Sequence, residues 1–166
     1  MRFRARDGYI LIALLIFAGE ASPKLMAAQS SQFSETQPLK VELSVSEEFL
    51  RVDIFNSSES VINVNKRLLY GSEANWTELA FIIEDAHGAI STYMPKATTE
   101  PPGENDRCFL WPRQFVGTQI PLKEIRANYR LGGGTYSIIA EYLIRSEDGK
   151  LLSRLMSPAV SVSFAH

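Results

Sequence analysis

The sequence predicts an all-β fold, an antiparallel β-sandwich of seven to eight strands, on three observations. Apolar and polar residues alternate with a period of two in segment after segment, the pattern of strands buried on one face. Turn-forming clusters of Gly, Asn, Asp, Ser and Pro punctuate these segments roughly every 8 to 15 residues. A helical period is nowhere sustained, and only Leu122 to Tyr129 offers a helical turn or two.

The chain opens with Arg2, Arg4 and Arg6, followed by an apolar run from Tyr9 to Ala18 and then small residues including Gly19 and Ala21. That order of basic, apolar and small segments is a secretory signal, here residues 1–21 with cleavage expected after Ala21 and with Ala27 or Ala28 as alternatives. As a helix the apolar run reaches only about 15 Å, roughly half the hydrocarbon thickness, so no stable membrane span is expected after cleavage. The destination is the periplasm or the outside of the cell. Residues 22–38 are rich in Ser, Gln and Pro and read as a flexible leader, leaving 39–166 as the folded domain.

Within the domain, Leu39, Val41, Leu43 and Val45 alternate with Lys40, Glu42 and Ser44, and Leu50, Val52 and Ile54 with Arg51 and Asp53. The stretch from Asn56 to Glu59 is a turn. Val61 to Leu69 reads as a strand with Ile62 and Val64 inward, and Leu79, Phe81 and Ile83 as another, turned by the segment from Asp85 to Gly88 into Ala89 to Met94. Phe115 to Leu122 and the row Tyr136, Ile138, Ala140, Tyr142 and Ile144 follow. Glu147, Asp148 and Gly149 signal a hairpin, with Gly supplying positive φ. The final segment, about Leu151 to Phe164, is interrupted at Ser157 and Pro158, which marks an edge strand or a bulge.

Gly132, Gly133 and Gly134 could cradle a phosphate or turn the backbone into a strand. A phosphate loop needs a helix after its glycines, with N–H groups aimed at the anion. A β-branched, alternating segment follows instead, so the glycines are expected to form a corner. Leu131, Gly134 and Tyr136 make an L-x-x-G-x-Y pattern that resembles the tyrosine corner of immunoglobulin-like and fibronectin type III-like β-sandwich domains. In those domains a Tyr at the start of the penultimate strand bonds its hydroxyl to the preceding crossover. The resemblance implies that Tyr136 is mostly buried and bonded in that way. The pattern of Leu50 to Asn56, with Leu68 and Leu69, is similar to exported bacterial domains of this kind. Paired cysteines and the core Trp of antibody domains are missing.

Composition excludes several functions. Seventeen basic and 19 acidic residues lose three and two with the signal, leaving 14 against 17, and the basic residues are not clustered as nucleic-acid binding requires. His87 and His166 are the only imidazoles, and no zinc-ligand spacing occurs. Cys108 stands alone, as a small buried residue or an intermolecular link. The acidic pairs Glu47-Glu48, Glu84-Asp85 and Glu147-Asp148 fall at turns, where carboxylates are ordinarily solvated. The sequence therefore predicts no catalytic residues, no cofactor and no metal. Asn56-Ser-Ser and Asn75-Trp-Thr match a glycosylation pattern that operates only in a eukaryotic secretory pathway.

The segment from Met94 to Pro112 contains four prolines and reads as a long loop without a strand through its middle. Its exit presents Phe109, Trp111 and Arg113, residue types that dominate binding hot spots. Either these side chains cap the open end of the sandwich, or they form a partner-binding site. The functional expectation is an exported, non-enzymatic binding or accessory module that recognises a protein partner through end loops. An immunoglobulin-like protease inhibitor, resembling the chagasin type in its Trp111-Pro112-Arg113 element, is the alternative, and a small-substrate enzyme is a third.

Overall fold

The computed structural model describes residues 38–73, 76–95 and 99–165. The predicted signal, nearly all of the leader, Asn75 and His166 lie outside them.

Among the described residues ten strands run in the order β1 Leu39–Val45, β2 Phe49–Asn56, β3 Ile62–Asn65, β4 Leu79–Asp85, β5 Ile90–Ser91, β6 Arg107–Leu110, β7 Phe115–Pro121, β8 Gly134–Arg145, β9 Leu151–Met156 and β10 Val160–Phe164. One short helix, α1 Leu122–Asn128, lies between β7 and β8. All strand pairings between these elements are antiparallel: β1-β2-β7 in one sheet, β10-β8-β4-β5 with β9 also on β8 in a second, and β3-β6 as a two-stranded ribbon. The all-β class read from periodicity is the class of the structure. No helix among the described residues is long and apolar enough to cross a membrane.

The alternation of the sequence becomes one core. Leu50, Val52 and Ile54 on β2 are fully buried, as are Leu79 and Ile83 on β4 and Ile138 and Ala140 on β8, all in a single cluster shared by both sheets. Burying such a side chain contributes about 1.5 to 3 kcal/mol, which sets the register, because a slip by one residue would turn every one of them to solvent.

There are more strands than periodicity alone suggests, because the last run is broken in two and a further strand, β6, lies in the segment read as a long loop. β9 and β10 share one edge of β8 on either side of Ser157 and Pro158. There Ser157 Oγ accepts the Ala140 N–H at 2.9 Å, replacing the ladder partner lost at the bulge. β6 pairs with β3 as a separate ribbon, joined to the β2-β7 pair through the bends at Asn56 and at Trp111.

Four expectations need correction. The strand read over Val61 to Leu69 stops at Asn65, because Arg67 turns inward to Glu78 and Leu68 takes a φ of +50°. Ala89 to Met94 keeps only two strand residues, after which the Met94 N–H bonds to Asn128 O of α1 at 2.9 Å. The Met94 to Pro112 segment does contain a strand, β6, which fits because all four prolines lie outside it and its partner β3 is distant in sequence. Tyr136 is only half-buried and its hydroxyl has no hydrogen bond among the described residues. Its ring instead packs at 5.9 Å from Phe164, over which the Arg126 guanidinium sits at 5.7 Å. Arg126 Nε donates to Leu131 O at 3.3 Å and Nη2 to Ala165 O at 2.9 Å, so an arginine closes the crossover where a phenol was expected.

The three glycines follow the C-terminus of α1 and lead into β8, with Gly134 at φ +139°. They are a backbone corner. No helix N-terminus follows them.

Candidate interaction site at the Trp111 bend

β6 ends with Leu110 pointing into the core, so Phe109 and Trp111 on either side point out. Trp111, Pro112, Arg113 and Gln114 then form a tight turn. The Gln114 N–H donates to Trp111 O at 3.0 Å, and the Trp111 N–H donates to Gln114 Oε1 at 3.2 Å. Pro112 sits at the second position, where its fixed φ suits the turn, and Arg113 at the third, with φ +65°. Gly or Asn is the usual occupant of that backbone conformation, and a long side chain held there is strained.

The turn rests on Asn56, which is completely buried. Its Nδ2 donates to Leu110 O at 2.9 Å and Ser60 O at 2.8 Å, while Oδ1 accepts from the Ser58 N–H at 3.0 Å and Ser58 Oγ at 2.8 Å. Its backbone N–H donates to Gln114 O at 2.9 Å, and its carbonyl accepts from the Arg113 N–H at 3.0 Å. Both amide protons and both lone pairs of the side chain are used. One residue thus fixes the kink between β2 and β3 and the base of the Trp111 turn.

Three aromatic side chains stand out of this bend within seven residues. Phe109 is 68% exposed, Trp111 60% and Phe115 54%. Phe115 was not singled out in the sequence, where it reads as the first residue of a strand. It is outward because Val116 takes the inward position, and the Arg51 guanidinium lies over its ring at 5.5 Å. Trp111 is not in the core, so it is not a residue buried among Leu79 and Ile138.

Phe109 also borders an open groove of 780 Å³ with Trp76, Pro101, Pro102, Arg107 and Tyr142, whereas Trp111 and Arg113 do not line it. The groove wall is held by a buried ion pair: Arg67 Nη2 donates to Glu78 Oε1 at 2.5 Å and Nε to Oε2 at 3.2 Å. Asn65 Nδ2 and the Leu69 N–H complete the carboxylate, each at 3.0 Å. Arg67 Nη1 reaches Glu100 O at 2.8 Å and so ties down the segment before β6. Burial pushes the Tyr142 hydroxyl up to about 12, opposed by the backbone of Asn65, whose N–H it accepts at 3.2 Å.

The remaining sequence candidates are dispersed. His87 sits in the exposed β4–β5 turn, its N–H on Asp85 Oδ1 at 2.8 Å. Cys108 is a half-buried free thiol on β6, packed against the core. Among the described residues no three His, Cys, Asp or Glu side chains cluster as metal ligands would. Asn56 cannot accept a glycan while folded, because both of its amide protons are bonded in the interior.

No protein-family model matches the chain, and no curated protein matches it.

Proposed function

We propose that this chain is an exported, non-enzymatic binding or accessory module, an immunoglobulin-like sandwich that holds a protein partner through the Trp111 bend. The observation that carries this reading is the trio of Phe109, Trp111 and Phe115, exposed by 54 to 68% around a turn that is closed between Trp111 and Gln114 and bonded to Asn56. Exposed aromatics usually cost solubility and are free to reorient. Here they sit on a pre-ordered frame, so a partner burying them would gain apolar area while paying little ordering entropy. Arg113 beside them supplies a charged donor of the kind enriched at hot spots.

The test is recovery of a partner from cell-envelope extract by the immobilised wild-type protein, identified by mass spectrometry, followed by affinity measurements with Trp111→Ala. The expected loss is about 2 kcal/mol or more, roughly 30-fold, with unchanged thermal stability because the indole is mostly outside the core. Equal affinity of wild type and variant, or turnover of a small substrate by the purified protein, would overturn the reading. A panel of serine, cysteine and metalloproteases, assayed for inhibition, separates a general binding module from an inhibitor.

A further inference from the structure

β7 is an edge strand whose outer side pairs with no other strand among the described residues. In an antiparallel ladder alternate residues turn both backbone groups to the same neighbour. On the β2-β7 register the Asn56 N–H bonds to Gln114 O at 2.9 Å and the Leu122 N–H to Glu48 O at 2.8 Å. Even-numbered residues of β7 therefore face β2. Phe115, Gly117 and Gln119 turn their N–H and C=O groups away, and these make no hydrogen bond among the described residues.

Exposed edges are normally defended by charge, proline or brevity. The other edge strands here follow that rule: β5 has two residues, β1 carries Lys40 and Glu42, β6 carries Arg107, β9 carries Arg154, β3 has only four residues, and the five-residue β10 follows Pro158. β7 has seven residues and no charge from Gln114 to Leu122, and its one proline, Pro121, is its last residue and leaves Phe115 to Gln119 unguarded.

We propose that the outer edge of β7 is a self-association surface, pairing antiparallel with β7 of a second copy across a two-fold axis at Gly117. The open backbone groups call for a strand, and a second copy fits because the pattern is self-complementary. With Gly117 opposite Gly117 of the second copy, each Phe115 faces a Gln119, and the outward groups of 115, 117 and 119 meet in about six backbone hydrogen bonds. No like charges are brought into opposition. The residue on the axis has no side chain, and Asp53 already lies across it, so that a Cβ at 117 would collide with Asp53 Oδ1. The two three-stranded sheets would become one of six strands.

The test combines sedimentation equilibrium with hydrogen exchange on the intact purified protein across a concentration series. Dimer formation is expected by about 1 mM, with the amides of Phe115, Gly117 and Gln119 exchanging freely in dilute protein and becoming protected as the dimer forms. The amides of Val116, Thr118 and Ile120 should be protected throughout. Phe115→Glu with Gln119→Glu in one chain, and Phe115→Lys with Gln119→Lys in another, should each be monomeric with unchanged far-UV circular dichroism, and an equimolar mixture should dimerise. Trp111→Ala should leave the dimer intact, which separates this surface from the Trp111 turn, Phe115 being common to both. A protein that stays monomeric to about 1 mM, a dimer in which the odd-numbered amides still exchange, or charge variants that fail to complement on mixing would each overturn the proposal. The first of these outcomes would leave the edge open to a strand of another protein.

Discussion

Asn56 illustrates how much one buried polar side chain can hold. Replacing it with Ala would leave the carbonyls of Leu110 and Ser60 and the N–H of Ser58 without their partners. At about 1 to 3 kcal/mol for each buried group so stranded, partly relieved by water, a loss of about 3 kcal/mol is expected in urea unfolding. Asn56→Asp should be no better, because a carboxylate keeps the acceptors, loses both donors and faces two carbonyls; a variant as stable as wild type would show that the donors carry little weight. Arg113 makes the opposite case. Its φ of +65° suits Gly, so Arg113→Gly is expected to raise stability or leave it unchanged, by up to about 1 kcal/mol, while weakening partner binding. A drop in both would mean that the guanidinium is structural. The exposure of Phe109 and Trp111 was legible in the sequence, as was an Asn-initiated turn. The burial of Asn56 was not, since its decisive partner, Leu110 O, lies 54 residues away.

At the scale of elements, local turn chemistry was readable wherever the partners are close in the chain. The β4–β5 and β8–β9 hairpins share one design: Gly88 at φ +84° and Gly149 at φ +85° each follow a turn closed by a bond to the first turn residue, Asp85 and Ser146 respectively. Asp85 holds the first by accepting the N–H groups of Ala89 and His87, which keep its carboxyl below the usual carboxylate range. A Cβ at Gly149 would also strike the Trp76 ring, so this glycine is required by space as well as by φ. The end of α1 was less legible. The Leu131 N–H bonds to Arg126 O at 2.9 Å and the Arg130 N–H to Ala127 O at 3.2 Å, the paired bonds of a Schellman cap, with Arg130 at φ +52° in the position Gly prefers. The three glycines lie just beyond, and none of them fills that position. Arg130→Gly is therefore expected to stabilise the protein by about 0.5 to 1 kcal/mol, read as a higher urea midpoint at constant slope. β6 escaped detection for the converse reason, because its strand character depends on pairing with β3 some 45 residues earlier.

For the molecule as a whole, four tyrosines occupy the seams between layers. Tyr142 on β8 reaches the ribbon at Asn65, where its hydroxyl also donates to the carbonyl at 3.4 Å, and it is 4% exposed. Tyr129, equally buried, meets Tyr93 edge to face at 5.4 Å, and Tyr93 lies 5.9 Å from Tyr70, whose hydroxyl accepts from Asn128 Nδ2 at 2.7 Å. Burial raises all four phenols, Tyr70 and Tyr142 to about 12 and Tyr129 further. An unfolded tyrosine ionises near pH 10, so these groups favour the folded state fully below about pH 10, and that contribution is lost as pH rises towards 12. For Tyr142 alone the difference corresponds to about 2 to 3 kcal/mol. The urea midpoint should thus be flat through neutral pH and fall steeply between about pH 10 and 12. Tyr142→Phe separates this effect from ordinary alkaline repulsion. It should be less stable than wild type at pH 7 by about 1 kcal/mol, for the lost hydrogen bonds to Asn65. It should fall less steeply above pH 10, so that the two curves converge. Parallel curves for the two proteins would mean that the Tyr142 phenol does not ionise with unfolding, and that the seam between β8 and β3 is not what fails first in alkali.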